Sequence, residues 1–285
     1  MKVCRFADSN GIERWGLLES DNTIRDLSAA GINSLSSLTE SDNPAERLAQ
    51  LDTAALPSLP LSELQLLSPV DRQEIWAAGV TYLRSKAARM EESDFSATAY
   101  DRVYDADRPE IFFKSLGEKT VPTGEPVGIR ADGKWNVPEP ELALVINSAG
   151  KIVGYTVGND MSSRDIEGEN LLYLPQAKVY KYSCSLGPFI VMGVSEESAR
   201  QWSIGIKIVR AGETVFSGET SISQIKRSFT ELADYLCRSQ DFPAGAVLLT
   251  GTGVVPPDEF TLAAGDTISI NISGIGELIN DVVVV

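Results

Sequence analysis

Short alternating runs of apolar and polar residues dominate the chain from about Leu66 onward, and few stretches place apolar residues at helical spacing. Glu74–Gly79, Ile111–Lys114, Glu141–Ile146, Ile152–Asn159, Phe189–Gly193, Ser203–Val209, Val247–Thr250, Thr267–Ser273 and Glu277–Val285 carry β-branched or alternating apolar residues and predict strands. Helical patterns are fewer: Leu83–Glu92, a short Ser162–Glu169, and Phe229–Arg238. In the last, Ser228 and Glu231 have capping-box spacing, and Phe229, Leu232, Ala233 and Leu236 form an apolar stripe. Ahead of these, Lys2–Phe6, Arg14–Leu18 and Thr23–Leu27 predict three strands, and Ile32–Leu38 and Pro44–Leu51 two weak helices. Leu56–Leu61 is punctuated by prolines and reads as a connector. Many strands with few interleaved helices argue against a doubly wound sheet. The expected fold is α+β and β-rich, mainly antiparallel with helices at its edges. Its organisation is a small N-terminal α/β module over residues 1–65 and a larger β-rich domain over 66–285.

Composition narrows the function classes. The net charge of −15 repels nucleic acid and anionic lipid, and no basic cluster offsets it, so neither is an expected partner. No apolar run approaches the ~20 residues of a membrane span, and no secretory signal is evident. The three cysteines, Cys4, Cys184 and Cys237, are scattered without metal-ligand spacing and suit a reducing, cytoplasmic setting. The chain has no histidine, which removes the commonest general base and transition-metal ligand. Any metal must therefore sit on oxygen ligands, favouring Mg²⁺, Mn²⁺ or Ca²⁺.

Candidate chemistry concentrates in four places. In Val137-Pro138-Glu139-Pro140-Glu141-Leu142, strand periodicity projects Glu139 and Glu141 side by side, and the prolines favour extended backbone. Paired carboxylates repel unless a cation lies between them; two solvated glutamates at a strand start are the plain alternative. Asp160 follows a strand in Gly158-Asn159-Asp160-Met161-Ser162-Ser163-Arg164, either as a helix N-cap or as a third oxygen ligand. Arg164 then faces the site as an anion clamp or is a surface arginine. Lys178, beside an apolar run, is a base, a substrate clamp or a solvated charge; lysines shift their pKa readily when buried. Thr250-Gly251-Thr252-Gly253 is a glycine turn able to offer backbone N–H groups and the Thr252 hydroxyl to a carboxylate or phosphate, or else an empty tight loop.

Taken together, Ala78-Gly79-Val80-Thr81-Tyr82, Glu139-Pro140-Glu141-Leu142, the Gly158–Asp165 run, Lys178, Leu186-Gly187-Pro188 and Thr250-Gly251-Thr252 resemble the fumarylacetoacetate hydrolase family over roughly residues 70–285. The resemblance implies a mixed β-sandwich roll, a Mg²⁺ or similar ion on Glu139, Glu141 and Asp160, and a homodimer or homotetramer. It also implies substrate contacts at Arg164, Thr252, Gly251, Tyr82 and Ser85. A narrower resemblance, carried by Arg108–Lys114, Glu169–Lys178 and Cys184–Pro188, is to the 2-keto-3-deoxy-D-arabinonate dehydratase branch, and it implies Glu110 and Lys178 as acid–base groups. Hydrolytic members carry a water-activating histidine shortly after the tyrosine; here that stretch is Tyr82-Leu83-Arg84-Ser85-Lys86. Serine without a partner does not replace that base. The expectation is thus a lyase acting on a small 2-oxo acid, with a metal-dependent hydrolase or decarboxylase as the alternative. A non-catalytic sugar-acid binding protein is the third reading.

Overall fold

The computed structural model describes residues 1–20, 22–41, 43–83 and 102–285. Ser85 and nearly all of the expected helix Leu83–Glu92 lie outside them. The chain begins with β1 (Lys2–Ala7), β2 (Glu13–Ser20) and β3 (Thr23–Asp26), then α1 (Leu35–Thr39), α2 (Pro44–Ala49), β4 (Ser58–Pro60) and β5 (Gln65–Leu67). There follow β6 (Glu74–Gly79), β7 (Glu110–Leu116), β8 (Val127–Ile129), β9 (Asn136–Val137), β10 (Pro140–Ile146), β11 (Ile152–Asp160) and β12 (Ser162–Ser163). Helices α3 (Arg164–Glu169) and α4 (Leu174–Lys178) lead to β13 (Cys184–Met192) and α5 (Glu196–Ala199). The chain closes with β14 (Ser203–Arg210), β15 (Glu213–Ser221), α6 (Phe229–Cys237), β16 (Ala246–Leu249), β17 (Thr267–Ile272) and β18 (Gly276–Val284).

Among the described residues two large sheets carry the fold. One has eleven strands, in the order β4-β3-β2-β1-β13-β11-β10-β16-β6-β7 with β5 on β1. The other has five, β15-β14-β17-β18-β8. Most pairings are antiparallel, while β16–β6 and β18–β8 are parallel, so the sheets are mixed as expected. Period-two alternation sorts the large sheet's side chains into two cores. Leu142, Leu144, Ile146, Tyr155 and Val157 pack with Ile204, Ile206, Ile270 and Leu278 of the smaller sheet. Ala143, Val145, Val247 and Leu249 point the other way and pack with Leu35, Leu38 and Leu48 of α1 and α2.

The N-terminal strands have no sheet of their own. β1 pairs with β13, placing Lys2 opposite Val191 and Val3 opposite Ile190, so residues 1–65 extend the large sheet. The proline-punctuated connector is itself partly strand, with β4 pairing β3. β15, unexpected from the sequence, is an edge strand exposed along most of its length, so it carries no alternating apolar signal. Helix α6 matches its stripe, and Ser228 Oγ accepts from the Glu231 N–H at 3.0 Å. The Glu231 carboxylate, however, takes a 2.5 Å hydrogen bond from Arg227, which leaves half the expected capping box.

Candidate active site

One face of the large sheet, at one end of five adjacent strands, gathers the chemistry. Asn147 Oδ1 accepts from the Ala149 and Lys151 N–H groups and closes the β10–β11 hairpin. The hairpin register sets Pro140 opposite Asn159 and Glu141 opposite Gly158. The Asp160 N–H donates to the Glu139 carbonyl at 3.0 Å, so Glu139 and Asp160 face each other across the strands. Glu139, Glu141 and Asp160 lie on the same face as Ala143 and Val145, away from the sandwich core. All three are buried, at 2%, 2% and 1% exposure, and one carboxylate oxygen from each lies within 4.8 Å of the others. Asp160 thus sits within β11, and Ser163, not Asp160, occupies the N-cap of α3.

Cations and amides hold these oxygens. Lys178, the last residue of α4, donates from Nζ to Glu139 Oε2 at 2.7 Å, Asp160 Oδ2 at 3.1 Å and Ser162 Oγ at 2.5 Å. Arg164 is buried and its Nη2 donates to Glu139 Oε1 at 2.6 Å, so it is neither a surface arginine nor turned wholly toward a ligand. The Gly251 N–H donates to Glu141 Oε2 at 2.6 Å, engaging a protein carboxylate rather than a bound anion. Gly251 has φ +90°, and a Cβ there would stand 2.2 Å from Thr81 Oγ1, so only glycine makes this turn. Thr252 lines the cavity, with its hydroxyl donating to the Val254 carbonyl at 3.0 Å. Burial, followed by the neighbouring Asp160 and Glu139 carboxylates, pushes Glu141 well above the usual carboxylate range, against the opposing pull of Lys178 and the Gly251 N–H.

The cavity over these groups is walled by Glu110, Phe112, Glu139, Glu141, Asp160, Glu167 and Lys178, with Ala78, Gly79, Val80, Gly251 and Thr252. Glu110 reaches it because Gly79 lies opposite on β6, where a Cβ would stand 2.0 Å from Glu110 Oε2. Tyr82, expected to touch substrate, does not line this cavity. It is buried in the sandwich core, its ring filling the space over Gly253, where a Cβ would meet it at 2.3 Å. A larger cavity of about 730 Å³, around Val121, Tyr180 and Tyr182, contains none of the three carboxylates.

Sequence reasoning assigned no role to Lys114, Phe112, Ser162 or Glu167, all of which adjoin the site. Their signal was available in part: Glu110 and Phe112 are alternate residues of one strand and so share a face, while Lys114 follows at a register shift between β6 and β7. The cysteines take no part. Burial raises the Cys4 and Cys184 thiols to about 12, far from the thiolate that reactive chemistry needs.

Hard carboxylate oxygens, converging and buried, suit a small divalent cation. The raised Glu141 fits the same group, since a cation among the three would offset the like-charge repulsion that opposes its ionisation.

Residues 74–283 match the family model described as fumarylacetoacetate (FAA) hydrolase C-terminal, and the chain belongs to that family. It is 51% identical over 217 residues to a probable 2-keto-3-deoxyxylonate dehydratase of Haloferax volcanii, covering 76% of this chain and 74% of that one. It is 37% identical to the 2-dehydro-3-deoxy-D-arabinonate dehydratase of Saccharolobus solfataricus, over 99% of this chain and 96% of that one. Among solved structures, a 2-keto-3-deoxy-D-arabinonate dehydratase complexed with magnesium and 2,5-dioxopentanoate superposes with a TM-score of 0.83. It is 32% identical over 100% of this chain and 99% of that one.

Proposed function

We propose that this chain is a divalent-metal-dependent dehydratase of a 2-keto-3-deoxy sugar acid of the 2-keto-3-deoxy-D-arabinonate type, yielding 2,5-dioxopentanoate. The observation that carries the reading is the meeting of three buried carboxylates with a buried lysine and a separate glutamate on one cavity wall. The similarity to dehydratases along nearly the whole chain supports it. Glu139, Glu141 and Asp160 would hold the ion, Mg²⁺ in preference to Mn²⁺ or Ca²⁺. Once bound, it would supply Lewis-acid polarisation of the 2-oxo group.

The protein's own groups do the rest. Arg164 and the Gly251 N–H fix the orientation of Glu139 and Glu141, so the site is built before substrate arrives. Lys178, as its neutral amine once the ion takes up the Glu139 and Asp160 oxygens it now contacts, would take the C3 proton. Glu110, on the cavity wall, protonates the C4 hydroxyl, which leaves as water. Loss of these elements gives a 5-hydroxy-3-enoate, and a tautomeric shift moves its double bond to C4–C5 and then yields the terminal aldehyde. Thr252 remains at the cavity wall as a candidate substrate contact, while Arg164 is not among the residues that wall the cavity and acts here by holding Glu139. No helix among the described residues is long and apolar enough to cross a membrane. A cytoplasmic homodimer or homotetramer acting on small molecules is part of the same proposal.

The test is a panel of 2-keto-3-deoxy acids incubated with Mg²⁺ or with a chelator, following semialdehyde and pyruvate. Semialdehyde formation that the chelator stops is the expected result. Two carbon fragments as products would favour carbon–carbon hydrolysis, and no turnover with any acid would overturn the enzyme reading.

A further inference from the structure

The reaction above uses Lys178 and Glu110 and leaves a second buried lysine without a task. Lys114 is 0% exposed, and its Nζ lies 2.5 Å from Asp160 Oδ1. That contact lacks hydrogen-bond geometry on the Asp160 oxygen and is an ion pair only. The same Nζ donates to the Met161 carbonyl at 2.9 Å and to the Lys178 carbonyl at 2.5 Å. One ammonium therefore spans the tip of β11, which presents Asp160, and the end of α4, which presents Lys178. Asp160 is bracketed, with Lys114 on Oδ1 and Lys178 on Oδ2.

We infer that Lys114 is a positioning residue, setting the separation between the Asp160 carboxylate and the backbone that carries the Lys178 ammonium. The inference rests on the metal-dependent reading of the site. Its place on β7 fits: Glu110 and Phe112, on the same strand face, line the cavity, and the Phe112 ring lies 5.6 Å from Lys178 Nζ. One strand thus supplies an acid and a floor under the lysine on the cavity wall and, where its register with β6 shifts, a brace behind them. A purely structural position would be served as well or better by an apolar side chain of similar volume, because burying an ammonium is unfavourable unless its contacts are needed.

Positioning and simple charge balance make opposite demands on metal binding. A positive charge beside the carboxylates repels a divalent ion, so if charge were its only contribution, Lys114→Met would bind Mg²⁺ more tightly. If Lys114 braces the site, the same variant binds more weakly although a repulsive charge is gone. Mg²⁺ titration by calorimetry without substrate, followed by kcat and KM with the 2-keto-3-deoxy acid, separates the two. We expect Kd for Mg²⁺ to rise about tenfold or more and kcat to fall roughly 100-fold with KM little changed, the scale of a displaced catalytic group. Unchanged or tighter Mg²⁺ binding with retained kcat would overturn the inference. Failure of the wild-type chain to bind Mg²⁺ would overturn the metal reading and this inference with it. Should Lys114→Met not fold, Lys114→Arg decides: a guanidinium keeps the charge but cannot set one nitrogen against all three oxygens at these distances. The same losses are expected from it, and wild-type kcat and Mg²⁺ affinity in it would overturn the brace.

Discussion

Burial and two like charges oppose the ionisation of Glu141 more than that of an ordinary carboxyl, and a cation among the three would relieve that opposition. Its folded pKa is raised, so in metal-free protein the unfolded chain ionises Glu141 first as pH climbs. The stability contribution is therefore best below the ordinary carboxylate range and declines as pH rises toward the elevated folded value. Mg²⁺ binding to the ionised carboxylates offsets that loss, so the rise in Tm on adding Mg²⁺ should grow as pH climbs above the ordinary carboxylate range. Glu141→Gln should equal or exceed the wild-type Tm in chelator at neutral pH while losing the Mg²⁺-induced shift and activity; paired thermal melts check both. Lys178→Ala and Glu110→Gln should each lower kcat by about 10²–10⁴-fold, the usual contribution of a positioned acid or base, and near-wild-type turnover would remove that residue from the mechanism. At this scale the carboxylates were legible because period two is a local property: Glu139 and Glu141 had to share a face. The partners of Arg164 and Gly251 were not legible. Both engage the protein's own carboxylates, Gly251 from the turn after β16, more than a hundred residues later in the chain, and only the assembled sheet shows it.

At the scale of elements, β6 and β7 act as a pair. The register that sets Gly79 against Glu110 leaves the acid room to lie over β6, and Gly79→Ala should displace it. The Glu110 side chain is flexible enough to swing away, so the expected signature is a kcat loss approaching that of Glu110→Gln with only a modest change in Tm. Wild-type kcat in Gly79→Ala would show that the carboxylate acts from another position. Central strands such as β10 and β11 were readable from apolar runs because both of their faces are buried along most of their length. β13 was seen only from Phe189 onward, because its first half, Cys184-Ser185-Leu186-Gly187-Pro188, mixes polar residues, glycine and proline and looks like a loop. That half nonetheless pairs with the end of β11, setting Asp160 opposite Cys184, and so helps fix the site.

For the whole molecule, the alternating apolar pattern indicated the β-rich class, but the boundary near residue 65 does not coincide with a break in the sheet. Val3, Trp15, Leu17 and Leu27 share one core with Ile190, Met192, Val247 and Leu249. Contacts of this kind are non-local and leave no trace in a window of sequence. A shared core and a shared sheet should unfold together, so urea denaturation followed by far-ultraviolet dichroism and by tryptophan fluorescence should give coincident single transitions. Two separated transitions would restore an independent N-terminal module. The account as a whole turns on a divalent ion shared by Glu139, Glu141 and Asp160. Anomalous diffraction from crystals soaked in Mn²⁺ tests it most directly. The expected result is one strong peak within about 2.0–2.3 Å of an oxygen from each of the three. Well-ordered crystals with those oxygens turned apart and no peak among them would contradict it.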